Sequence, residues 1–212
     1  MKSLGIAGEV STVLCIGAHC DDIEIGCAGA LRSLSERYPQ ARFHWAILAG
    51  DNDREPESRR AAERLLGERC TLDVQRFRGS YLRYEGAEVK DYFEAVLKPL
   101  APDLIFTHYL HDRHQDHNFP AELTWNTFRN HTILEYEIPK YEGDLAHPNL
   151  YVPLDDKTVT RKVDMLMECF PSQQSRTWFC RDVFLAHMRL RGMECNAPSG
   201  YAEAFHGRKL VL

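Results

Sequence analysis

The 212-residue chain is 44% hydrophobic and 27% charged, the composition of an ordinary globular protein long enough to bury its own core. Its 26 basic and 31 acidic residues give a formal net charge of −5, which argues against a nucleic-acid or anionic-membrane partner. No apolar run reaches the roughly 20 residues of a membrane span, the opening MKSLGIAGEV lacks a signal-peptide pattern, and seven cysteines without a CxxC pair read as the reduced thiols of a cytoplasmic protein. In chain order, the near-continuous apolar run Thr12–Ile16 predicts a strand buried on both faces. Ile23, Cys27, Ala30, Leu31 and Leu34 then recur at helical spacing up to Tyr38-Pro39. Phe43–Leu48 predicts a second strand, Ser58–Leu66 a helix stopped at Gly67, and Val74 with Phe77 a weaker third strand.

Val89, Phe93, Val96, Leu97 and Leu100 predict an amphipathic helix, and Asp103–Thr107 (DLIFT) another buried strand. Asn118-Phe119-Pro120 reads as a helix start with proline in the first turn, and Ile133–Ile138 as one more strand. From about residue 149 the pattern turns helical, with Val159, Val163, Leu166 and Phe170 on one stripe and Thr177–Arg191 on another. Strands alternating with helices of ten or more residues predict an α/β fold, a Rossmann-like and mostly parallel sheet with flanking helices. The expectation is a single domain, 1–212, whose C-terminal part from about 149 is a helical extension beside the substrate pocket.

Ligands of such sheets bind beyond the carboxyl ends of the strands, and two polar segments stand there. Gly17-Ala18-His19-Cys20-Asp21-Asp22-Ile23-Glu24 follows the first strand. His19 and Asp22 are close enough in sequence to converge on one ion, although an aspartate pair before a helix also serves as a cap. A dinucleotide site is excluded because Gly17, Gly26 and Gly29 lack the GxGxxG spacing and two carboxylates would repel a pyrophosphate. The second segment, His114-Gln115-Asp116-His117, follows DLIFT. Three His and Asp ligands with one open position make a catalytic site for Zn²⁺, Fe²⁺ or another divalent first-row ion. His108 and His111 read as structural or solvent-facing. Asp112 reads as shaping the turn or binding a sugar hydroxyl, and Trp125, Tyr141 and Trp178 as core aromatics or sugar-stacking platforms.

Together the two segments resemble the LmbE-like, or PIG-L, family of N-deacetylases, which carries an AHPDD motif after its first strand and an HPDH-type motif further on. Cys20 and Gln115 replace the prolines of those motifs. Leu48-Ala49-Gly50, the Arg54/Glu57 pair and Leu66-Gly67 are similar to the family's second strand, arginine loop and following helix. Ser172-Gln173 and Tyr201–Phe205 are similar to tail features of members acting on sugars. The resemblance implies that His19, Asp22 and His117 bind zinc and that Asp21 is the general base. It implies that His114 stabilises the oxyanion and protonates the leaving amine, that Asp116 orients His114, and that Arg54 and Asp112 contact substrate. The implied activity is removal of the acetyl group from an N-acetylated amino sugar, a GlcNAc-like unit of a glycoconjugate, nucleotide sugar, antibiotic or thiol precursor. Alternatives are an amidase on a larger conjugate, a metallophosphoesterase, which needs two metals and more carboxylates, and a non-catalytic sugar binder. A homo-oligomer is left open.

Overall fold

The computed structural model describes residues 8–210; the start of the segment read for a signal peptide lies outside them. Strands β1 (Thr12–His19), β2 (Arg42–Ala49), β3 (Cys70–Val74), β4 (Leu104–His108) and β5 (Thr132–Tyr136) pair in parallel. Two further strands, β6 (Leu150–Pro153) and β7 (Ala202–Gly207), complete a seven-stranded sheet of order β3-β2-β1-β4-β5-β7-β6. β7 is antiparallel to both neighbours. The C-terminal part therefore carries its expected helices and also extends the sheet. Its strands escape a pattern search because β6 has only four residues and β7 interrupts its apolar run with buried Glu203 and His206.

Alternation along the parallel strands divides the core into two layers, as the period of two requires. Val13, Cys15, Phe43, Trp45 and Phe106 face α1 (Asp22–Arg37), α2 (Glu55–Leu66), α5 (Asp156–Cys169) and α6 (Arg181–Glu194). Leu14, Ile16, Ala46, Leu48 and Ile105 face α3 (Gly86–Tyr92) and α4 (Gln115–Thr127). The predicted helix around Val89 runs on from α3 through a π turn at Phe93–Leu97 and a 3-10 turn at Lys98–Leu100. Two helix starts differ from the pattern reading. α4 begins at Gln115 rather than Asn118, because His114 caps it by accepting the Asp116 N–H at Nδ1; Pro120 thus lies inside the helix. α6 begins at Arg181, after a turn that holds Thr177–Cys180.

Gly26 and Gly29 serve packing. A Cβ on Gly26 would lie 2.2 Å from the Tyr136 ring, and one on Gly29 would lie 2.7 Å from Leu154. Their absence lets α1 settle directly onto β5 and the β6–β7 edge. The sheet order reverses between β1 and β4, which opens a crevice at their carboxyl ends.

Candidate metal centre

β1 ends at His19 and β4 at His108, so the adjacent strands deliver both polar segments to that crevice. Asp21 occupies the N-cap position of α1 without a side-chain cap, at φ 107° in the left-handed region, which costs about 1–3 kcal/mol for a non-glycine residue. That turn brings Asp22 back under His19. The His19 N–H donates to Asp22 Oδ2 at 2.7 Å, and His19 Nδ1 lies 3.4 Å from the same oxygen. From the first turn of α4, His117 places Nε2 3.6 Å from Asp22 Oδ1.

These spacings fit a metal ion. Donors bound to one tetrahedral zinc at about 2.1 Å stand about 3.4 Å apart. His19, Asp22 and His117 each offer a ligand atom within 4.8 Å of the others. The electrostatics agree. Burial disfavours charge on His19, but Asp116 and Asp22 outweigh it and push its pKa up to about 10, the mark of a place that attracts a cation. Burial and the neighbouring His108 push His117 down to about 4, leaving the neutral imidazole that binds metal at neutral pH. Although burial opposes it, His117 and His108 hold Asp22 well below the usual carboxylate range.

Among the described residues a second group, His108, Asp112 and His117, also lies close enough for an ion. Its geometry does not converge. The His108 and His117 rings stack 4.0 Å apart at 17°, so their lone pairs lie in nearly parallel planes, and Lys140 Nζ already occupies Asp112 Oδ2 at 2.9 Å.

The supporting contacts sort the roles that the sequence leaves open. Asp112, read as shaping the turn or binding a sugar hydroxyl, is buried. Its Oδ1 accepts the His114 N–H at 2.8 Å and its Oδ2 lies 3.1 Å from His117 Nδ1, so it shapes the turn and holds a ligand ring. Asp116 orients His114 through its backbone amide; its carboxylate instead faces His19 Nε2 at 3.2 Å and accepts the Ser80 N–H. Arg54, also expected at the substrate, directs Nη2 to Asp21 Oδ1 at 2.9 Å and to the Cys20 carbonyl. Burial raises the Asp21 carboxyl to about 7 despite that guanidinium.

His108 was missed as a member of the site. It is fully buried, accepts the Ala18 N–H at Nε2 (3.0 Å), and packs between His117 and Tyr136. Its position as the last residue of a buried strand was the available signal. His111 is exposed beside Arg208. Half-buried His114 stacks on His117 at 4.4 Å, and its capped Nδ1 puts the ring proton on Nε2. Burial pushes the Cys20 thiol up to about 12, an inert packed cysteine. Trp125 Nε1 donates to Glu135, Trp178 packs on Phe179, and exposed Tyr141 sits 3.2 Å from Thr177 Oγ1. Of the tail features, Ser172 donates to Glu57 and Tyr201–Phe205 leads into and forms β7, so both are part of the scaffold.

The comparisons with known proteins agree with the motifs. An uncharacterized deacetylase, YaiS, of Escherichia coli strain K12 is 30% identical over 147 residues, 64% of this chain and 78% of that protein. Among solved structures, the N,N'-diacetylchitobiose deacetylase of Pyrococcus horikoshii aligns with a TM-score of 0.71 at 19% identity, over 94% of this chain and 84% of that one. GalB, the 4-carboxy-2-hydroxymuconate hydratase of Pseudomonas putida KT2440, aligns with a TM-score of 0.76 at 16% identity, over 95% and 98%. At these identities the likeness is one of fold, and a hydratase on the same scaffold shows that fold alone does not choose the reaction. The sequence match is what decides membership: residues 14–128, more than half of the chain and both polar segments, match PIG-L, GlcNAc-PI de-N-acetylase, and the chain belongs to that family.

Proposed function

We propose that this protein hydrolyses the acetamide of an N-acetylated amino sugar, giving acetate and the free amine, with His19, Asp22 and His117 holding a zinc or other first-row divalent ion. The observation that carries the reading is the spacing of those three donors, with the Asp21 carboxylate adjoining them in sequence and the His114 ring packed against His117. When bound, the ion supplies polarisation of the amide carbonyl and a lowered pKa for water. The chain supplies the rest. Asp21 accepts a proton from the attacking water. His114, its proton on Nε2, donates a hydrogen bond to the carbonyl oxygen as negative charge develops there, and the proton that Asp21 took from water passes to the departing nitrogen. Asp116 and Asp112 hold the rings of His19 and His117 against rotation. No helix among the described residues is long and apolar enough to cross a membrane, and all seven cysteines are free, which suits a reducing cytoplasmic compartment.

The test is acetate release from a panel of N-acetyl amino sugars and diacetylchitobiose, with metal content measured on wild type and Asp21→Ala. The expected result is about one metal per chain in both proteins, as one three-ligand site requires, with turnover lost only in the variant. Bound metal without cleavage of any acetylated sugar would move the assignment to larger amides. A stoichiometry of two would favour phosphoester chemistry, and absence of binding under every reconstitution would refute the mechanism.

A further inference from the structure

The strained turn that carries Asp21 has a holder. Asp21 sits at φ 107°, ψ −23°, a conformation that L-residues keep only where their surroundings impose it. On the helical side, Ile25 N–H anchors the Asp21 carbonyl at 2.9 Å. On the other side one side chain does the anchoring. The two hydrogens of Arg54 Nη2 are directed at the Cys20 carbonyl and at Asp21 Oδ1. The peptide between β1 and α1 and the carboxylate it carries are therefore gripped by the same nitrogen.

Arg54 is itself fixed. Its N–H donates to Asp51 Oδ1 at 2.7 Å, its carbonyl receives Glu57 N–H and Ser58 N–H at 3.1 and 3.2 Å at the start of α2, and its side chain is only 21% exposed. A guanidinium with one terminal nitrogen committed in this way is placed to aim Asp21.

We propose that Arg54 is a positioning residue for Asp21: it imposes the left-handed turn and sets where the carboxylate meets the attacking water. The proposal rests on Asp21 being the base, and it assigns Arg54 to the scaffold of the reaction rather than to substrate binding.

The test compares wild type, Arg54→Ala and Arg54→Lys, with Asp21→Ala alongside, on the best acetylated sugar of the panel, and determines crystal structures of wild type and Arg54→Ala. Displacement of the carboxylate by about 1 Å should lower kcat roughly 100-fold in Arg54→Ala. KM should stay within about threefold, because no uniform substrate binding is lost. Millimolar guanidinium should restore part of kcat. Arg54→Lys, which keeps the charge without the planar fork, should fall between, and it provides the comparison if Arg54→Ala does not fold. In the crystal, Asp21 should leave positive φ when Arg54 is removed, a readout independent of turnover and of the identity of the substrate. The proposal is overturned if KM rises while kcat holds, which is the signature of a substrate contact, or if Asp21 keeps its φ and carboxylate position in Arg54→Ala. Undiminished turnover in Asp21→Ala would instead overturn the base assignment, whatever the Arg54 variants do.

Discussion

Helix α1 presents Asp22 in its first turn and carries a foreign ion pair at its middle. Lys162 Nζ, from α5, donates to the Ile25 carbonyl at 2.6 Å and lies 2.5 Å from Glu203 Oε1 on β7. The two Glu203 oxygens accept Gly29 N–H at 2.8 Å and Ala30 N–H at 2.7 Å. In an α-helix the same N–H groups also face the carbonyls of Ile25 and Gly26. The pair thus bonds to groups that belong to the helix ladder, and both residues are buried, 5% and 4% exposed. Removing one partner strands a charge in the interior, which costs about 3–5 kcal/mol. Lys162→Met and Glu203→Met should therefore each lose about 4 kcal/mol. Independent sites would sum to about 8 kcal/mol in the double variant.

The double variant should not reach that sum. With both side chains gone, Gly29 N–H and the Ile25 carbonyl are fourth neighbours that an α-helix pairs with each other. Apolar replacements of a buried ion pair are often neutral. Urea unfolding of the four proteins, with midpoint and m-value fitted together, measures the coupling. The expected loss in the double variant is at or below about 4 kcal/mol, no worse than either single change. An additive double variant, or single variants costing under about 1 kcal/mol, would refute the idea that the pair acts as a unit on the helix.

Three further outcomes follow from the same contacts. Gly26→Ala would improve helix propensity by about 1 kcal/mol in isolation. Its methyl would lie 2.2 Å from the buried Tyr136 ring, however, so urea unfolding should show a net loss of about 1–3 kcal/mol. Asp112→Asn, which weakens the hold on His117 Nδ1, should lower zinc affinity about 10–100-fold in a chelator competition, with the fold intact by circular dichroism. Glu137 gives an acid signature. Burial alone would raise its carboxyl, but His187, His206, the Ala146 amide and Arg191 hold it well below its ordinary value of 4.5. A depressed folded pKa contributes stability that is whole above 4.5 and lost as pH falls below it. Wild type should therefore lose stability more steeply than Glu137→Gln on acidification below pH 4.5, by urea midpoints at successive pH values.

What the linear pattern reveals is what local physics decides. An apolar run ending at Gly17, a helical stripe from Ile23 and the DLIFT strand are each set by period and burial, so β1, α1 and β4 stand where the pattern puts them. The donors His19, Asp22 and His117 are legible for a related reason: each lies in a short polar segment just past a strand, and a parallel sheet gathers such segments at one edge. The partners of those donors are not legible. Whether Asp116 turns to His114 or His19 depends on where α4 begins, and that is decided by an imidazole cap rather than by the Asn-Phe-Pro that resembles a start. His108 packs between His117 and Tyr136 of the neighbouring strand, and Tyr136 fits there because Gly26 leaves room for it. Glu203 lies more than 170 residues from the amides it receives, with no periodic signal to connect them. Arg54 is a further instance, since nothing in the linear pattern connects a charged loop residue to the carboxylate of Asp21, 33 positions away, that its guanidinium meets. Side chains able to hold an ion can be found by their chemistry, whereas the contacts that surround them are chosen by the order of the strands.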